Sequence, residues 1–239
     1  SWYGVAGMGG VLHTVNPRLF DEQLVYIINH AEDRVLLFDA MFLPIVERLR
    51  GQLPTVEHFI LFDAPAQGDY KSYRDVIDAE DGSFQWVALD ERDPVGLCYT
   101  SGTTGNPKGA LGTHRNLVTN IFSSGYNACM AALRRGEAPP EPAHKTTLTV
   151  IPLFHVTACS AGLMGMVAAG NTAIFMRRWD PVKAFEIIER EKVNATGGVP
   201  TIAWQLIEHP DRDKYDLSQC KTFAAGGAPR PPEHVTKIK

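Results

Sequence analysis

The sequence predicts an α/β fold: mostly parallel sheets flanked by helices, arranged as two stacked α/β subdomains. Two observations carry this. Short β-branched or aromatic runs alternate with helical patterns from one end to the other, which is how a parallel sheet with crossover helices reads. A proline-rich break, Gly136-Glu137-Ala138-Pro139-Pro140-Glu141-Pro142-Ala143-His144-Lys145, interrupts that alternation once, and the alternation then resumes. We therefore expect a first subdomain over 1–136, a linker over 137–145 and a second subdomain over 146–239.

In the first half the strand-then-helix unit occurs three times. Gly10–His13 precedes a helix over Asp21–Asn29, Arg34–Phe38 precedes Phe42–Leu49, and His58–Phe62 precedes Tyr70–Asp78. Val95-Gly96-Leu97-Cys98-Tyr99 reads as a buried strand, and a long helix runs from Asn116 to Arg134. The prolines at 139, 140 and 142 cannot continue that helix, because proline lacks the N–H and clashes with the preceding turn. Beyond the break, strands are expected at Thr146–Ile151, Thr172–Met176, Asn194–Thr196 and Lys221–Ala225. At Asp180 a cap residue is followed by Pro181, and Val182, Phe185 and Ile188 fall on one helical face.

Bulk properties narrow the function. The chain has 239 residues, 44% of them hydrophobic, enough for a sizeable core. A net charge of -4 and a pI near 6.1 argue against a nucleic-acid partner, which needs clustered Lys and Arg; the pairs Arg134-Arg135 and Arg177-Arg178 read as solvated element ends. Cys98, Cys129, Cys159 and Cys220 are far apart with no CxxC pair, so they read as reduced core residues of a cytoplasmic protein. The uncharged run Ile151–Met176 is broken by Pro152, His155 and Gly170-Asn171, which favours a buried helix plus strand over a transmembrane segment. No signal peptide is visible at Ser1-Trp2-Tyr3-Gly4. The absence of an initial Met, and a last stretch Pro232–Lys239 that reads as the opening of a helix, lead us to expect a piece of a longer protein.

The most informative stretch is Tyr99-Thr100-Ser101-Gly102-Thr103-Thr104-Gly105-Asn106-Pro107-Lys108-Gly109. Glycine lets backbone N–H groups approach a phosphate closely, Ser and Thr hydroxyls donate hydrogen bonds, and Lys supplies a charge. The plain alternative is a solvent-exposed linker, but the apolar strand before it argues for an anchored loop. It is not a Walker loop: counting from Gly102, Pro107 stands where GxxxxGK[ST] needs Gly, and Gly109 follows Lys108 where Ser or Thr is required.

This run, with Thr113-His114-Arg115-Asn116 behind it, closely resembles the signature loop of the adenylate-forming (AMP-binding) superfamily, which includes acyl- and aryl-CoA synthetases, amino-acid adenylation domains and luciferase. Ala110-Leu111-Gly112 departs from the usual bulkier pair after the phosphate-holding positions. Three further segments are similar to family segments in the same order. Ile151-Pro152-Leu153-Phe154-His155-Val156 resembles the Pro-aromatic-His segment beside the carboxylate substrate, although a His in an apolar run is also commonly a hydrogen-bonded core residue. Gly197-Gly198-Val199-Pro200-Thr201 resembles the acyl-tunnel segment, and reads equally as a strand-to-helix turn. Phe223 to Pro229 resembles the segment whose glycine backbone lies against adenine, where Gly-Gly-Ala-Pro alone would also suit an ordinary turn. The opening stretch Gly9–Leu19, with its Asn16-Pro17, fits the family as well, while Asp63, Asp90 and Asp93 match no functional position and read as caps and surface charges.

The resemblance implies an ATP-dependent ligase of the acyl-CoA synthetase branch, which turns a carboxylic acid, fatty or otherwise apolar, into an acyl-adenylate and then a coenzyme A thioester. It implies that Thr100, Ser101, Gly102, Thr103, Thr104, Gly105 and Lys108 hold the triphosphate, with Thr104 nearest Mg²⁺, and that Gly226, Gly227, Ala228 and Pro229 line adenine. It places His155, Val156, Thr157, Gly198, Val199 and Pro200 around the acid, and gives Lys108, Thr104 and His155 the catalytic roles. The same family pattern puts a metal-holding Glu, a ribose-binding Asp and a mobile lysine-bearing domain after Lys239, so the piece alone is expected to be inactive. An amino-acid-activating enzyme, a luciferase-like enzyme and a non-catalytic nucleotide-binding protein stay open, as does a homodimer.

Overall fold

The sequence predicts no element before Gly10, yet the chain opens on a short helix, α1 (Trp2–Gly7), ahead of β1 (Leu12–Thr14). The computed structural model of the chain describes residues 1–100, 105–141 and 143–225. These residues cluster into two compact units, Ser1–Asn116 and Leu117–Lys239.

In the first unit, α2 (Asp21–His30) begins with Asp21 and Glu22, whose charges suit the positive end of a helix, and the Phe20 N–H donates to Gln23 Oε1 at 3.2 Å. Its Leu24, Ile27 and Ile28, spaced by three and four, are buried. β2 (Val35–Phe38) leads through a 3-10 turn to α3 (Leu43–Leu49), and β3 (His58–Leu61) follows. The next helix, expected from Tyr70, starts three residues later. Tyr70 is spent on the core, edge-on to Phe38 and Phe59, and β4 (Lys71–Ser72) adds a strand before Ser72 Oγ accepts from Asp75 N–H and caps α4 (Tyr73–Asp78). β2, β3 and β4 form a parallel sheet on which α2 and α3 pack through Ile27, Leu49 and Leu61.

The three repeated strand-helix units thus do not share one sheet. β1 pairs in parallel with β5 (Pro94–Thr100), and β5 pairs antiparallel with β6 (Lys108–Thr113), giving a second three-stranded sheet. β6 was not expected. Its Gly109, Ala110 and Gly112 carry no strand propensity; pairing along β5 makes it a strand.

α5 (His114–Arg134) ends two residues before Gly136, and residues 137–141 and 143–145 hold neither helix nor strand. In the second unit β7 (Thr146–Thr149) is followed by a π-helical segment at Thr157–Leu163, α6 (Met164–Ala168), β8 (Thr172–Phe175), α7 (Pro181–Arg190), β9 (Ala195–Gly198), α8 (Pro200–Ile207) and β10 (Thr222–Ala225). The four strands lie in the order β10-β9-β7-β8, all parallel. α7 is capped as expected, Asp180 Oδ1 accepting from Lys183 N–H at 2.9 Å, and it sinks Phe185 and Ile188 against Leu148 of β7, burial that contributes about 1.5–3 kcal/mol for each side chain. The expected helix plus strand over Ile151–Met176 is present, and no helix among the described residues is long and apolar enough to cross a membrane. Of the four free cysteines only Cys159 is buried. The final helix expected at Pro232–Lys239 lies outside the described residues.

Candidate functional site

The signature run lies on a β-hairpin. β5 ends at Thr100, β6 starts at Lys108, and the two are direct partners across the ladder, so the loop leaves and re-enters the sheet at one place. The Thr100 hydroxyl makes a long 3.5 Å contact to the Lys108 carbonyl at this neck. Gly105 takes φ +85, a left-handed conformation that side chains disfavour, and Pro107 is buried while Thr100 and Lys108 are exposed. Ser101, Gly102, Thr103 and Thr104 lie outside the described residues. What the described part offers is an anchored turn with one lysine and one hydroxyl at its root, open to solvent and able to meet an anion.

In the second unit the topology singles out one edge. β7 is flanked by β8 on one side and β9 on the other, so the chain winds outward from β7 in one direction and then returns past it. Ligands of open α/β sheets bind outside the carboxyl ends of the strands where that direction reverses. Here that point lies between β7 and β9. The segment Ile151–Thr157 follows β7, and Val199-Pro200 follows β9, whose Gly197 is in register with Thr149. The segment expected to line adenine starts at Phe223 inside the adjacent β10, where Ala225 is in register with Gly198; Gly226, Gly227, Ala228 and Pro229 lie outside the described residues. Two segments far apart in the sequence therefore leave the carboxyl end of one sheet through neighbouring strands, and the third begins in the strand beside them.

On that edge His155 is exposed, and its Nδ1 accepts the Thr157 N–H at 3.3 Å. That bond leaves the neutral ring's proton on Nε2. His155 O accepts from both Ala158 and Cys159 N–H at 3.0 Å, opening the π-helical segment, a widened form that small residues such as Thr157, Ala158, Ser160, Ala161 and Gly162 admit. Val156 and Val199 keep 47% and 43% of their surface exposed, so the edge is apolar beside its histidine. Pro200 is buried at the start of α8. Burial pushes the Cys159 thiol up to about 11, which removes it from thiolate chemistry near neutral pH.

Among the described residues no cluster of three or more His, Cys, Asp or Glu is placed to hold a metal. The hairpin root supplies hydroxyl and backbone oxygens only, so the described side chains do not by themselves make up a Mg²⁺ site. The acidic residues set aside in the sequence do serve the backbone: Asp63 Oδ1 accepts from Ala40 N–H at 2.7 Å, Asp93 Oδ2 from Asp90 N–H, and Asp90 Oδ1 from Arg92 N–H, each at 2.8 Å. A group that sequence reasoning missed surrounds Tyr99 just before the loop: His30 Nδ1 lies 2.7 Å from its hydroxyl and the His13 ring 5.1 Å from its own. No spacing rule could have found it, because its members come from three separate elements.

Against known proteins, residues 1–239 match the family model of the AMP-binding enzyme. The chain is 40% identical over 245 residues to the 3-methylmercaptopropionyl-CoA ligase of Ruegeria pomeroyi, covering 100% of this chain and 44% of that protein. It is 36% identical over 239 residues to the long-chain-fatty-acid–CoA ligase of Thermus thermophilus, covering 100% of this chain and 42% of that one. The chain thus spans less than half the length of these curated relatives. Among solved structures it superposes on a long-chain-fatty-acid-CoA ligase (FadD1) from Archaeoglobus fulgidus with a TM-score of 0.76 at 26% identity, over 96% of this chain and 43% of that one. The anthranilate CoA ligase AuaEII, solved with anthranoyl-AMP, gives a TM-score of 0.82 at 23% identity over 95% of this chain and 42% of that one, a likeness of fold.

Proposed function

Since the chain belongs to the AMP-binding enzyme family, we propose that it forms part of an ATP-dependent acid–thiol ligase that activates a carboxylic acid as an acyl-adenylate and passes the acyl group to coenzyme A. The observation that carries this reading is the hairpin: a Gly/Ser/Thr loop held at its root by Thr100 paired with Lys108. In the first half-reaction the acid's carboxylate oxygen bonds to the α-phosphorus of ATP and the bond to the β-phosphate oxygen breaks, so negative charge gathers on the departing pyrophosphate. Fixed donors aimed at developing charge are the strongest means of lowering such a barrier. Lys108 and the hydroxyls of Thr100, Ser101, Thr103 and Thr104 are our candidates. In the second half-reaction the coenzyme A sulfur bonds to the acyl carbon and AMP leaves with the electron pair. Mg²⁺ is proposed to arrive with the triphosphate, whose oxygens supply most of its ligands, with Thr104 beside it.

The acid is proposed to be apolar and to lack a free α-ammonium. Ile151–Met176 contains no Asp or Glu to pair an ammonium, and an unpaired buried charge costs several kcal/mol. Val156 and Val199 on the switch-point edge support an apolar partner, with His155 as the group that positions the carboxylate. The 239 residues alone, at 44% and 42% of their relatives' length, are proposed not to turn over. No nucleic acid takes part, and a reduced cytoplasmic setting is in keeping with four free cysteines.

The test is a panel of carboxylic acids offered to the full-length protein that contains this chain, following acid-dependent exchange of pyrophosphate into ATP and coenzyme A-dependent release of AMP. Apolar acids should support both. Efficient exchange with a proteinogenic amino acid would overturn the substrate class, and ATP binding without turnover on any acid would overturn the enzyme reading.

A further inference from the structure

We propose that Tyr99 is a positioning residue for nucleotide binding, held by His30 and the Asp33–His13 pair so that both arms of the β5–β6 hairpin are fixed before ATP arrives. The inference rests on the reading above that this hairpin carries the triphosphate.

Tyr99 precedes Thr100, the last residue of β5, and is the ladder partner of Gly109. Its ring lies over that glycine: a Cβ at Gly109 would fall 3.3 Å from Tyr99 Cζ, tighter than ordinary contact, and 3.5 Å from the hydroxyl oxygen, in ordinary contact. The Tyr99 hydroxyl is 2.7 Å from His30 Nδ1 at the end of α2, where Tyr26 stacks on the His30 ring at 5.3 Å. On its other side the ring meets His13 of β1 at 5.1 Å between centroids. His13 is itself fixed, Nδ1 being 2.7 Å from Asp33 Oδ2, with only 5% of its side chain exposed. His13 Nε2 is buried with no hydrogen-bond partner, so the pairing with Asp33 is what offsets placing this ring under Tyr99. One phenol thus ties α2 and β1 to both hairpin arms. Burial, ahead of the nearby Tyr26 and Asp33, raises the Tyr99 pKa above its ordinary value, so the hydroxyl keeps its proton and its bond to His30.

The physical need is entropic. Backbone at the hairpin's root that is already in place need not be ordered when ATP binds, so fixing the two arms beforehand removes that cost from the affinity. None of these side chains needs to touch the nucleotide. The effect should therefore fall on ATP affinity and spare the acid.

In the full-length protein, Tyr99→Phe removes the hydroxyl and keeps the ring. It should raise the KM for ATP and the Kd for ATP by about three- to tenfold, the range expected of one neutral hydrogen bond. The KM for the acid and kcat should move by less than about twofold, and the melting temperature by no more than about 2 °C. His30→Ala should do the same, His30→Gln should recover part of the loss, and the Tyr99→Phe/His30→Ala double variant should be no worse than either single one, because both remove one interaction. Glu57→Gln, which breaks an exposed pair with Arg34, serves as the control and should change none of these values. Unchanged ATP affinity in both single variants, additive losses in the double, or equal losses for ATP and acid would overturn the proposal. The two readings fail differently: an unmodified protein that neither binds nor consumes ATP sinks the function and the brace together, whereas normal turnover with indifferent variants sinks the brace alone.

Discussion

In the β5–β6 hairpin glycine is needed for its backbone angle: Gly105 sits at φ +85 with nothing within 4 Å of where a Cβ would go. In the β9–β10 pair glycine is needed for its lack of volume, since a Cβ on Gly197 would lie 2.4 Å from the Ala224 carbonyl oxygen. In the first region Gly105 and Asn106 are exposed to solvent. The second is a closely spaced ladder at the outer strand of a sheet, where Thr222 and Ala224 stay exposed. The same residue type therefore answers two different constraints, and a substitution that is cheap in one region is costly in the other.

The sharpest way to separate the regions is chemical. Lys108→Ala in the full-length protein should slow acyl-adenylate formation by about 10²–10³, the typical cost of one fixed donor to developing charge, while supplied acyl-adenylate still reacts with coenzyme A. Pyrophosphate exchange and thioester formation, assayed side by side, check this; wild-type exchange in the variant would remove the hairpin from the chemistry. Next in size is Gly197→Ala, which must push β10 away from β9 and should destabilise the second unit by roughly 1–3 kcal/mol. Urea denaturation followed by the fluorescence of Trp179 and Trp204, both in that unit, measures it, and a shift below a few tenths would mean that the two strands are not as close as described.

Gly105→Ala should cost less, about 1–2 kcal/mol, because only the backbone angle is strained and no atom is met. Gly105→Asn should cost less again, since asparagine visits the left-handed region more readily. Equal losses for Ala and Asn would show that volume rather than angle matters there. The smallest effect concerns reactivity. With its pKa raised to about 11 by burial, Cys159 is almost all thiol at pH 8 and should be alkylated by iodoacetamide more slowly than the half-buried Cys98 and Cys129. Its rate should climb as pH rises towards that value, and mass spectrometry of timed reactions follows all three sites. Early labelling of Cys159 would mean that the π-helical segment opens.

Much of the fold was legible because local rules acted alone. Asp180-Pro181 announced α7, the spacing of Leu24, Ile27 and Ile28 matches the buried face of α2, and the runs at Val35 and His58 became β2 and β3. Where the reading missed, a neighbour decided. β6, whose Gly109, Ala110 and Gly112 favour no strand, exists through β5; Tyr70 leaves a predicted helix because Phe38 and Phe59 offer its ring a buried site. The candidate site divides in the same way. The hairpin loop was legible because its residues are consecutive, while the circle around Tyr99 was hidden because His13, His30 and Asp33 are brought to it from other elements.

The sequence by itself determined the fold class, the family and the Gly/Ser/Thr composition of the loop between β5 and β6, since each depends on residues adjacent or periodic along the chain. Only the tertiary structure decided that the three early strand-helix units divide between two sheets, and that β7 and β9 meet where the winding reverses. Strand order is set by which apolar faces bury one another, a long-range choice that no window of sequence contains.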